Sequence, residues 1–277
     1  LNKVFIETET KNQITYADLE QHSAAYSVGF EKLGLNRGDR VTLQVNKSVE
    51  VIFIYLACLR SGLIFHPLNT AYKDSELRFF LDDAEPEVFI CESTTFNNIS
   101  DLNLKKKPAN LFTLDSIQKL KIYEDHEILD CPDDEVAALL YSSGTTGNPK
   151  GIMLTHQNIG SNSKTLSECW NFHEDDCLLH ALPIYHVHGL FVALNTALLS
   201  ASKIIFLEKF NIEDVVRNLS KSTVMMGVPT YYNRLVNEVE FKSDSYNKMR
   251  LFISGSAPLT EKTFNEFKDK TNHSILE

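Results

Sequence analysis

Residues 141–151 form the part of the sequence with the clearest capacity for chemistry. Four aliphatic hydroxyl side chains and three glycines lie within residues 142–151, and Lys150 stands among them. Glycines let backbone N–H groups approach an anion closely, hydroxyls donate hydrogen bonds to phosphate oxygens, and the ammonium adds a point charge. The segment also follows an apolar strand pattern over 136–141. These features predict a phosphate-binding loop.

The spacing of this loop differs from that of a Walker A motif, G-x-x-x-x-G-K-[ST]. Lys150 lies three residues after Gly147, and Gly151 occupies the position of the motif's Ser or Thr. A phosphotransferase with an unusual phosphate loop is therefore disfavoured. The alternative is a polar hairpin that only links two strands, although hairpin turns seldom concentrate so many anion-binding groups.

Two further segments contain residue types suited to binding. His186 and His188 are two residues apart, so they share one face if this segment is a strand. The alternatives are a hydrogen-bonded core histidine, or half of a metal site whose other ligands cannot be located, so no metal ligand is assigned. Small residues at 254–258 follow a strand pattern over 251–253, and their size permits close approach of a flat ring or a thin acyl chain.

Arg234 is the candidate for substrate selection. It follows a Pro-Thr-Tyr-Tyr-Asn segment and is expected on the first turns of a helix that starts at a sheet edge. A guanidinium can grip a carboxylate through two parallel hydrogen bonds, so it could select a dicarboxylic acid over a fatty acid. The alternative is a solvated surface arginine, as most arginines are.

Alternating strand and helix patterns must position these segments. The alternation implies parallel sheets with helices on both faces, and ligands then bind in the loops after the carboxyl ends of the strands. The predicted strands are 41–45, 63–66, 88–90, 136–141, 177–180, 203–207, 223–226, 249–253 and 274–276, and the predicted helices are 16–33, 48–60, 74–81, one from about 156, 188–200, 212–219, 231–239 and 261–270. Residues 92–109 look irregular.

A subdomain junction is expected in the acidic, poorly periodic stretch 115–135. The predicted fold is therefore α/β, with two doubly wound, mainly parallel subdomains. The first covers 1–130, and the second covers 131–277 and contains the phosphate loop.

Composition excludes several classes of protein. The 277 residues have a formal net charge of −10, which disfavours nucleic-acid binding because that function needs basic surface. No apolar run is long enough for a membrane span, and no signal peptide is visible. The five cysteines form no C-x-x-C pair, which is typical of reduced thiols. A cytoplasmic location is the default expectation.

Residues 141–156 closely resemble the signature loop of the AMP-forming adenylating enzymes, which include acyl-CoA synthetases, peptide-synthetase adenylation domains and luciferases. The resemblance extends along the chain, and within the superfamily it is greatest to malonyl-CoA synthetases. The other segments that carry it are 34–41, 67–69, 76–77, 183–193, 226–231 and 251–259.

The resemblance implies an ATP-dependent acid:CoA ligase with ATP, coenzyme A and Mg²⁺ as cofactors. A small acid, malonate, would form an acyl adenylate and then a thioester. The implied ATP-binding residues are Ser142, Ser143, Gly144, Thr145, Thr146, Gly147, Lys150, Gly255, Ser256, Ala257 and Pro258. The implied catalytic residues are Lys150, His186 and Thr145, and the implied substrate-binding residues are His186, Arg234 and Ser254.

The resemblance covers about half of a family member. Beyond Glu277 the family continues into a Tyr-Gly-x-Thr-Glu block and a mobile C-terminal domain with a catalytic lysine, so little turnover is expected from residues 1–277 alone. The alternatives are a synthetase for another short or aromatic acid, and a non-catalytic nucleotide-binding module.

Overall fold

The computed structural model describes residues 2–142 and 149–277. These residues form two compact units. Unit I is Ala17–Gly160, and unit II is the described part of Leu1–Tyr16 together with Ser161–Glu277. No helix in the described residues combines the length and the apolar composition that crossing a bilayer requires.

The strands and helices alternate along most of the chain. The strands are β1 (Val4–Thr8), β2 (Gln13–Thr15), β3 (Arg40–Gln44), β4 (Ile64–Pro67), β5 (Val88–Cys91), β6 (Asn110–Thr113), β7 (Val136–Ser142), β8 (Lys150–Thr155), β9 (Cys177–His180), β10 (Lys203–Phe206), β11 (Val224–Gly227), β12 (Leu251–Ser254) and β13 (Ile275–Leu276). The α-helices are α1 (Tyr16–Lys32), α2 (Val49–Arg60), α3 (Asp74–Ala84), α4 (Ser93–Asn98), α5 (Leu114–Ile117), α6 (His156–Cys169), α7 (Asn195–Leu199), α8 (Ile212–Leu219), α9 (Pro229–Asn237), α10 (Ser243–Tyr246) and α11 (Glu261–Thr271). Two 3₁₀ turns at Ile99–Leu102 and Gln118–Leu120 and a π-helix at His188–Leu194 complete the described elements.

The sheet of unit I has the strand order β6-β5-β3-β4-β7-β8. Its strands are parallel except for β8, which returns antiparallel to β7 as a hairpin. β5 is buried along its whole length, as expected for an apolar strand in the middle of a parallel sheet. The carboxyl ends of β3, β4, β5 and β7 therefore meet at one edge.

The sheet of unit II has the order β13-β12-β11-β9-β10-β1-β2. All neighbouring pairs are parallel except β1 and β2. Met226 is level with both His180 and Ile253, so β9, β11 and β12 end at nearly the same height. The core beside this sheet includes the fully buried rings of Tyr232, Phe252 and Phe267.

Local signals explain where the helices around this edge begin. The Asn211 side chain accepts hydrogen bonds from the backbone N–H groups of Glu213 and Asp214, which caps α8. Pro229 occupies the first position of α9, where its missing N–H costs nothing. The Thr260 side chain caps α11. Caps of this kind contribute about 1 kcal/mol each.

The α/β class with two mainly parallel sheets is confirmed. The subdomain boundary differs from the predicted junction near residue 130, because β7 joins the sheet of unit I through the pairing of Phe65 with Ala138. Residues 131–160 therefore belong to unit I. The acidic stretch instead runs over α1 and α2, held where Ile122 N–H donates to the Ala25 carbonyl and Arg60 donates to the His126 carbonyl.

Four strands were absent from the sequence prediction, namely β1, β2, β6 and β8. β1 and β2 join the sheet of unit II, where β1 pairs with β10. The stretch 92–109, expected to be irregular, contains the short helix α4 and a 3₁₀ turn. These elements are three to six residues long, which is too short for a clear periodicity.

Candidate active site

Four parallel strands of unit II end side by side. β9 ends at His180, β10 at Phe206, β11 at Gly227 and β12 at Ser254. Ser254 ends β12, the loops after β9 and β12 contain the other unit II residues for which the sequence analysis predicted a binding role, and the exception is Arg234, which lies on α9 after β11. This edge of the sheet is the usual ligand position in an open α/β fold.

A π-helix and the bend before it present the two histidines at this edge. His188 is the first residue of the π-helix, and His186 lies in the bend before it, so the segment is not a strand and the condition for a shared strand face is not met. His180 Nε2 donates to the Gly189 carbonyl at 2.8 Å and fastens the helix to the end of β9. A Cβ at Gly189 would lie 2.0 Å from the Pro183 carbonyl oxygen, so only glycine fits there. Single π-turns occur frequently at functional sites.

The imidazole of His188 packs against the turn that follows β12. Its Nδ1 lies 3.3 Å from Ser256 Oγ, and a Cβ at Gly255 would lie 3.1 Å from its Cε1. Ser256 has φ of 72°, a left-handed conformation that costs a non-glycine residue about 1–3 kcal/mol. Burial lowers the pKa of His188, so the ring is neutral at pH 7. Backbone strain of this kind is typical of functional sites.

His188 was not assigned a role by sequence reasoning, which chose His186. His186 is exposed, and its ring lies 4.5 Å from the ring of Tyr185. The contact of His188 with Ser256 joins residues 68 positions apart. This contact could have been predicted only from the strand order of the sheet, which brings the ends of β9 and β12 close together.

The turn after β12 contains the other predicted unit II residues. Ser254 is 2% exposed, and its Oγ has no hydrogen-bond partner among the described residues. Gly255 is half-buried, whereas Ser256, Ala257 and Pro258 are exposed. The turn therefore offers three accessible residues and one buried hydroxyl for a ligand.

Arg234 lies in the last turn of α9, not in the first turns as predicted. Its side chain is exposed, and its guanidinium carbon lies 5.7 Å from the ring centroid of Phe210. No ion pair joins Arg234 to a carboxylate of residues 2–142 or 149–277. The guanidinium is thus available to an external anion.

In unit I, the predicted phosphate loop connects the two strands of a hairpin. Ser142 ends β7, Lys150 begins β8, and the two residues are directly opposite each other. Lys150 is exposed and Ser142 is half-buried. The predicted residues Ser143, Gly144, Thr145, Thr146 and Gly147 lie outside the described residues. A segment that links the two strands of a hairpin can therefore also be a phosphate-binding loop.

The strand that enters this loop is anchored by aromatic contacts. Tyr141 donates to Asp83 at 2.6 Å, and its ring lies 4.7 Å from Phe80 and 5.4 Å from His66. Burial and the hydrogen bond to Asp83 raise the pKa of Tyr141. The phenol therefore stays protonated and keeps its bond to the carboxylate.

His66 is a buried residue that sequence reasoning missed. It is fully buried, and its Nδ1 lies 2.8 Å from Thr42 Oγ1. Its Nε2 has no hydrogen-bond partner among the described residues. Desolvation lowers the pKa of His66 to about 3. The ring is therefore neutral and acts in packing beside Tyr141.

No group of three or more His, Cys, Asp or Glu side chains that could hold a metal ion occurs in residues 2–142 and 149–277.

A family model described as AMP-binding enzyme matches residues 2–277. The chain belongs to the AMP-binding enzyme family. The predicted family is thereby confirmed. The ends of β9, β11 and β12 and the hairpin of β7 and β8 are therefore parts of an AMP-binding enzyme.

Known members of the family resemble the chain in sequence and in structure. A malonate–CoA ligase of Arabidopsis thaliana is 28% identical over an alignment of 309 residues, which covers 100% of this chain and 48% of the relative. The crystal structure of apo MatB from Rhodopseudomonas palustris has a TM-score of 0.93 at 40% identity, and covers 99% of this chain and 56% of MatB. The ATP-bound form of MatB has a TM-score of 0.94 at 41% identity. The chain thus spans about half the length of these relatives.

Proposed function

We propose that the complete gene product is an ATP-dependent acid:CoA ligase, AMP-forming, that activates malonate. The observation that carries the choice of acid is the exposed guanidinium of Arg234 on α9 of unit II, beside Phe210 and without a carboxylate partner among the described residues. Further support comes from the named activity of the Arabidopsis relative, a malonate–CoA ligase. A malonate dianion has a second carboxylate that a bidentate guanidinium fits.

The proposed reaction has two steps. A carboxylate oxygen of the acid attacks the α-phosphorus of ATP, and the bond to the β-phosphate oxygen breaks to release pyrophosphate. The sulfur of coenzyme A then attacks the carbonyl carbon of the acyl adenylate, the thiol proton is lost, and AMP leaves. Positioning and charge stabilisation carry most of such chemistry.

Residues of unit I would hold the phosphates. Ser142 and the loop residues that follow it, including Thr145 and Thr146, would donate to the β- and γ-phosphates. Lys150, opposite Ser142, would neutralise charge on the leaving pyrophosphate. The donor set beside the loop consists of a hydroxyl and an ammonium, which fits phosphate oxygens. Mg²⁺ would be held mainly by those oxygens and water, and it supplies further neutralisation of charge.

Residues of unit II would hold the acid. The neutral His188 ring and the Ser256 hydroxyl, 3.3 Å apart, form a polar pair beside the small Gly255. Ser254 contributes a buried hydroxyl without a partner among the described residues. His186, which is exposed, can donate to the reacting carboxylate or to the α-phosphate. Arg234 would bind the distal carboxylate.

The test is malonate-dependent formation of AMP and pyrophosphate by the complete gene product, with the variant Arg234→Met. We expect kcat/KM for malonate to fall by about 100-fold or more, and that for acetate to change less than about threefold, because only malonate loses a charge-assisted pair. Arg217→Met is the matched control, since Arg217 is also an exposed helical arginine of unit II but pairs with Asp214.

Equal losses for both acids would reject the selective role of Arg234. Activity with an aromatic or another short acid and none with malonate would replace the substrate while keeping the ligase. ATP binding without AMP formation for any acid would favour a non-catalytic nucleotide-binding module.

A further inference from the structure

The guanidinium of Arg234 rests on a stack of aromatic rings. The Phe210 and Tyr231 rings are nearly parallel, at 24°, with their centroids 3.9 Å apart. The Arg234 guanidinium carbon lies over Phe210 at 5.7 Å from its centroid. This distance is within the range of a cation–π interaction. We call Phe210 and Tyr231 the aromatic platform.

The Tyr231 ring of the platform contacts the strand ends of unit II. A Cβ at Gly227 would lie 3.1 Å from Cδ2 of Tyr231, so the Tyr231 ring lies closely against the last residue of β11. The Tyr231 hydroxyl also donates to the Ala181 carbonyl at 3.4 Å. Both platform rings pack against the buried core cluster of unit II. The lower ring of the stack is therefore held by the end of β11 and by the loop after β9.

The chain brings the platform to Arg234 from two directions. Tyr231 and Arg234 are three residues apart on α9, so they lie on the same face of that helix. Phe210 comes from the loop after β10, directly before Asn211, whose side chain caps α8. The cap fixes the backbone beside Phe210. Helix α9 and the loop that contains Phe210 thus restrict where the Arg234 guanidinium can lie.

A stacked guanidinium keeps its donors free. Its N–H groups point outward in the plane of the group, so a ring below one face leaves them available to a carboxylate. An arginine on a flexible stem loses side-chain entropy when it binds a ligand, and preorganisation on a platform reduces that loss. The platform can therefore raise affinity for a second carboxylate without contacting it.

We propose that Phe210 and Tyr231 are positioning residues that select a dicarboxylic acid by holding Arg234 in its binding orientation. The proposal rests on the proposed function, because it assumes that Arg234 binds the distal carboxylate.

The test uses Phe210→Leu, alone and combined with Arg234→Met, in the complete gene product. Leucine keeps an apolar group against the core but removes the ring face. We expect KM for malonate to rise roughly three- to tenfold, with kcat and the KM for acetate within about twofold of the unchanged protein. Phe210→Tyr, which keeps a ring face, should retain the original KM for malonate.

Phe264→Leu is the matched control, since Phe264 is a half-buried aromatic residue packed against the same core cluster. It should leave the ratio of the two KM values unchanged. In the Arg234→Met background, Phe210→Leu should have no further effect on the malonate KM, because the guanidinium is already absent.

Each of the following outcomes would overturn the platform. Equal changes for malonate and acetate in Phe210→Leu would indicate a merely structural ring, and an undiminished effect in the double variant would indicate action independent of Arg234. If Arg234→Met selectively weakens malonate use while Phe210→Leu does not, the platform fails and the proposed function stands. If Arg234→Met shows no selectivity, the selective role of Arg234 in the proposed function fails, and the platform fails with it.

Discussion

The hairpin of unit I and the strand ends of unit II assemble their candidate groups in different ways. In unit I, the groups come from one continuous segment, and Ser142 and Lys150 face each other because β7 and β8 pair. In unit II, His188 meets Ser256 across 68 residues of sequence, and Phe210 meets Tyr231 from another loop. A continuous segment can form an anion site from its own backbone, whereas selective recognition of an acid needs side chains that the sheet brings together.

The two regions also differ in how closely their surroundings pack around them. The strand entering the hairpin is anchored on one face, where Tyr141 contacts Asp83, Phe80 and His66, while β8 forms the edge of the sheet. The strand ends of unit II are close-packed, as the absence of room at Gly189 indicates. Substitutions in the hairpin of unit I should therefore alter ATP use, and substitutions at Arg234 or in its aromatic platform should alter acid selection.

The largest expected effect is on ATP use. Lys150→Met in the complete gene product should lower kcat/KM for ATP by about 100-fold, because removing one positioned donor to developing charge typically has that effect. The KM for malonate should change less than about threefold. Steady-state assays of AMP formation measure both, with the exposed Lys164→Met as the charge-matched control. A larger change for malonate than for ATP would contradict the division of roles between the two regions.

The next effect concerns packing at the strand ends of unit II. Gly189→Ala should lower the free energy of unfolding by about 1–3 kcal/mol or more, because its Cβ would lie 2.0 Å from the Pro183 carbonyl oxygen. Urea denaturation measures it. Gly160→Ala in α6 is the control, since a Cβ at Gly160 would have no neighbouring atom within 4 Å. This substitution should raise the free energy of unfolding by up to about 1 kcal/mol. Equal effects of the two substitutions would show that the fit around Gly189 is loose.

The smallest effect concerns the pH dependence of stability and depends on His66. Its folded-state pKa is lowered to about 3, below the unfolded value near 6.5, so between these values the unfolded chain binds more protons. The contribution of the neutral His66 ring to the free energy of unfolding is fully present above pH 6.5 and is lost as the pH falls toward 3. Between pH 6.5 and 5.0, the unchanged protein should lose about 1.5 kcal/mol more than His66→Leu. The free energies of unfolding are measured from denaturation curves at both pH values. An equal loss in the unchanged protein and in His66→Leu would contradict this prediction.

The strands and helices that could be predicted from the sequence are those with a continuous local pattern. The strand before the phosphate loop, the helix α8 and the strand β9 fall within one residue of their predicted bounds, because apolar periodicity and caps are local signals. The fold class followed from the alternation of such elements.

What the sequence did not predict depends on pairing between distant segments. The subdomain boundary was misplaced because the pairing of β7 with β4 decides it, and pairing leaves no local signal. The contact of His188 with Ser256 and the platform beneath Arg234 were missed for the same reason. Each depends on which strand ends lie next to each other. His66 was missed because its neighbour Thr42 is on another strand.

The pairing of β1 with β10 joins Ile6 to Ile204. During synthesis at roughly 5–20 residues per second, the first strand waits roughly 10–40 s before its neighbour has been made. All of unit I is translated in that interval and can fold as a domain. β1 therefore leaves the ribosome before unit I and its neighbour β10 leaves after it, so the sheet of unit II can be completed only once unit I has been made.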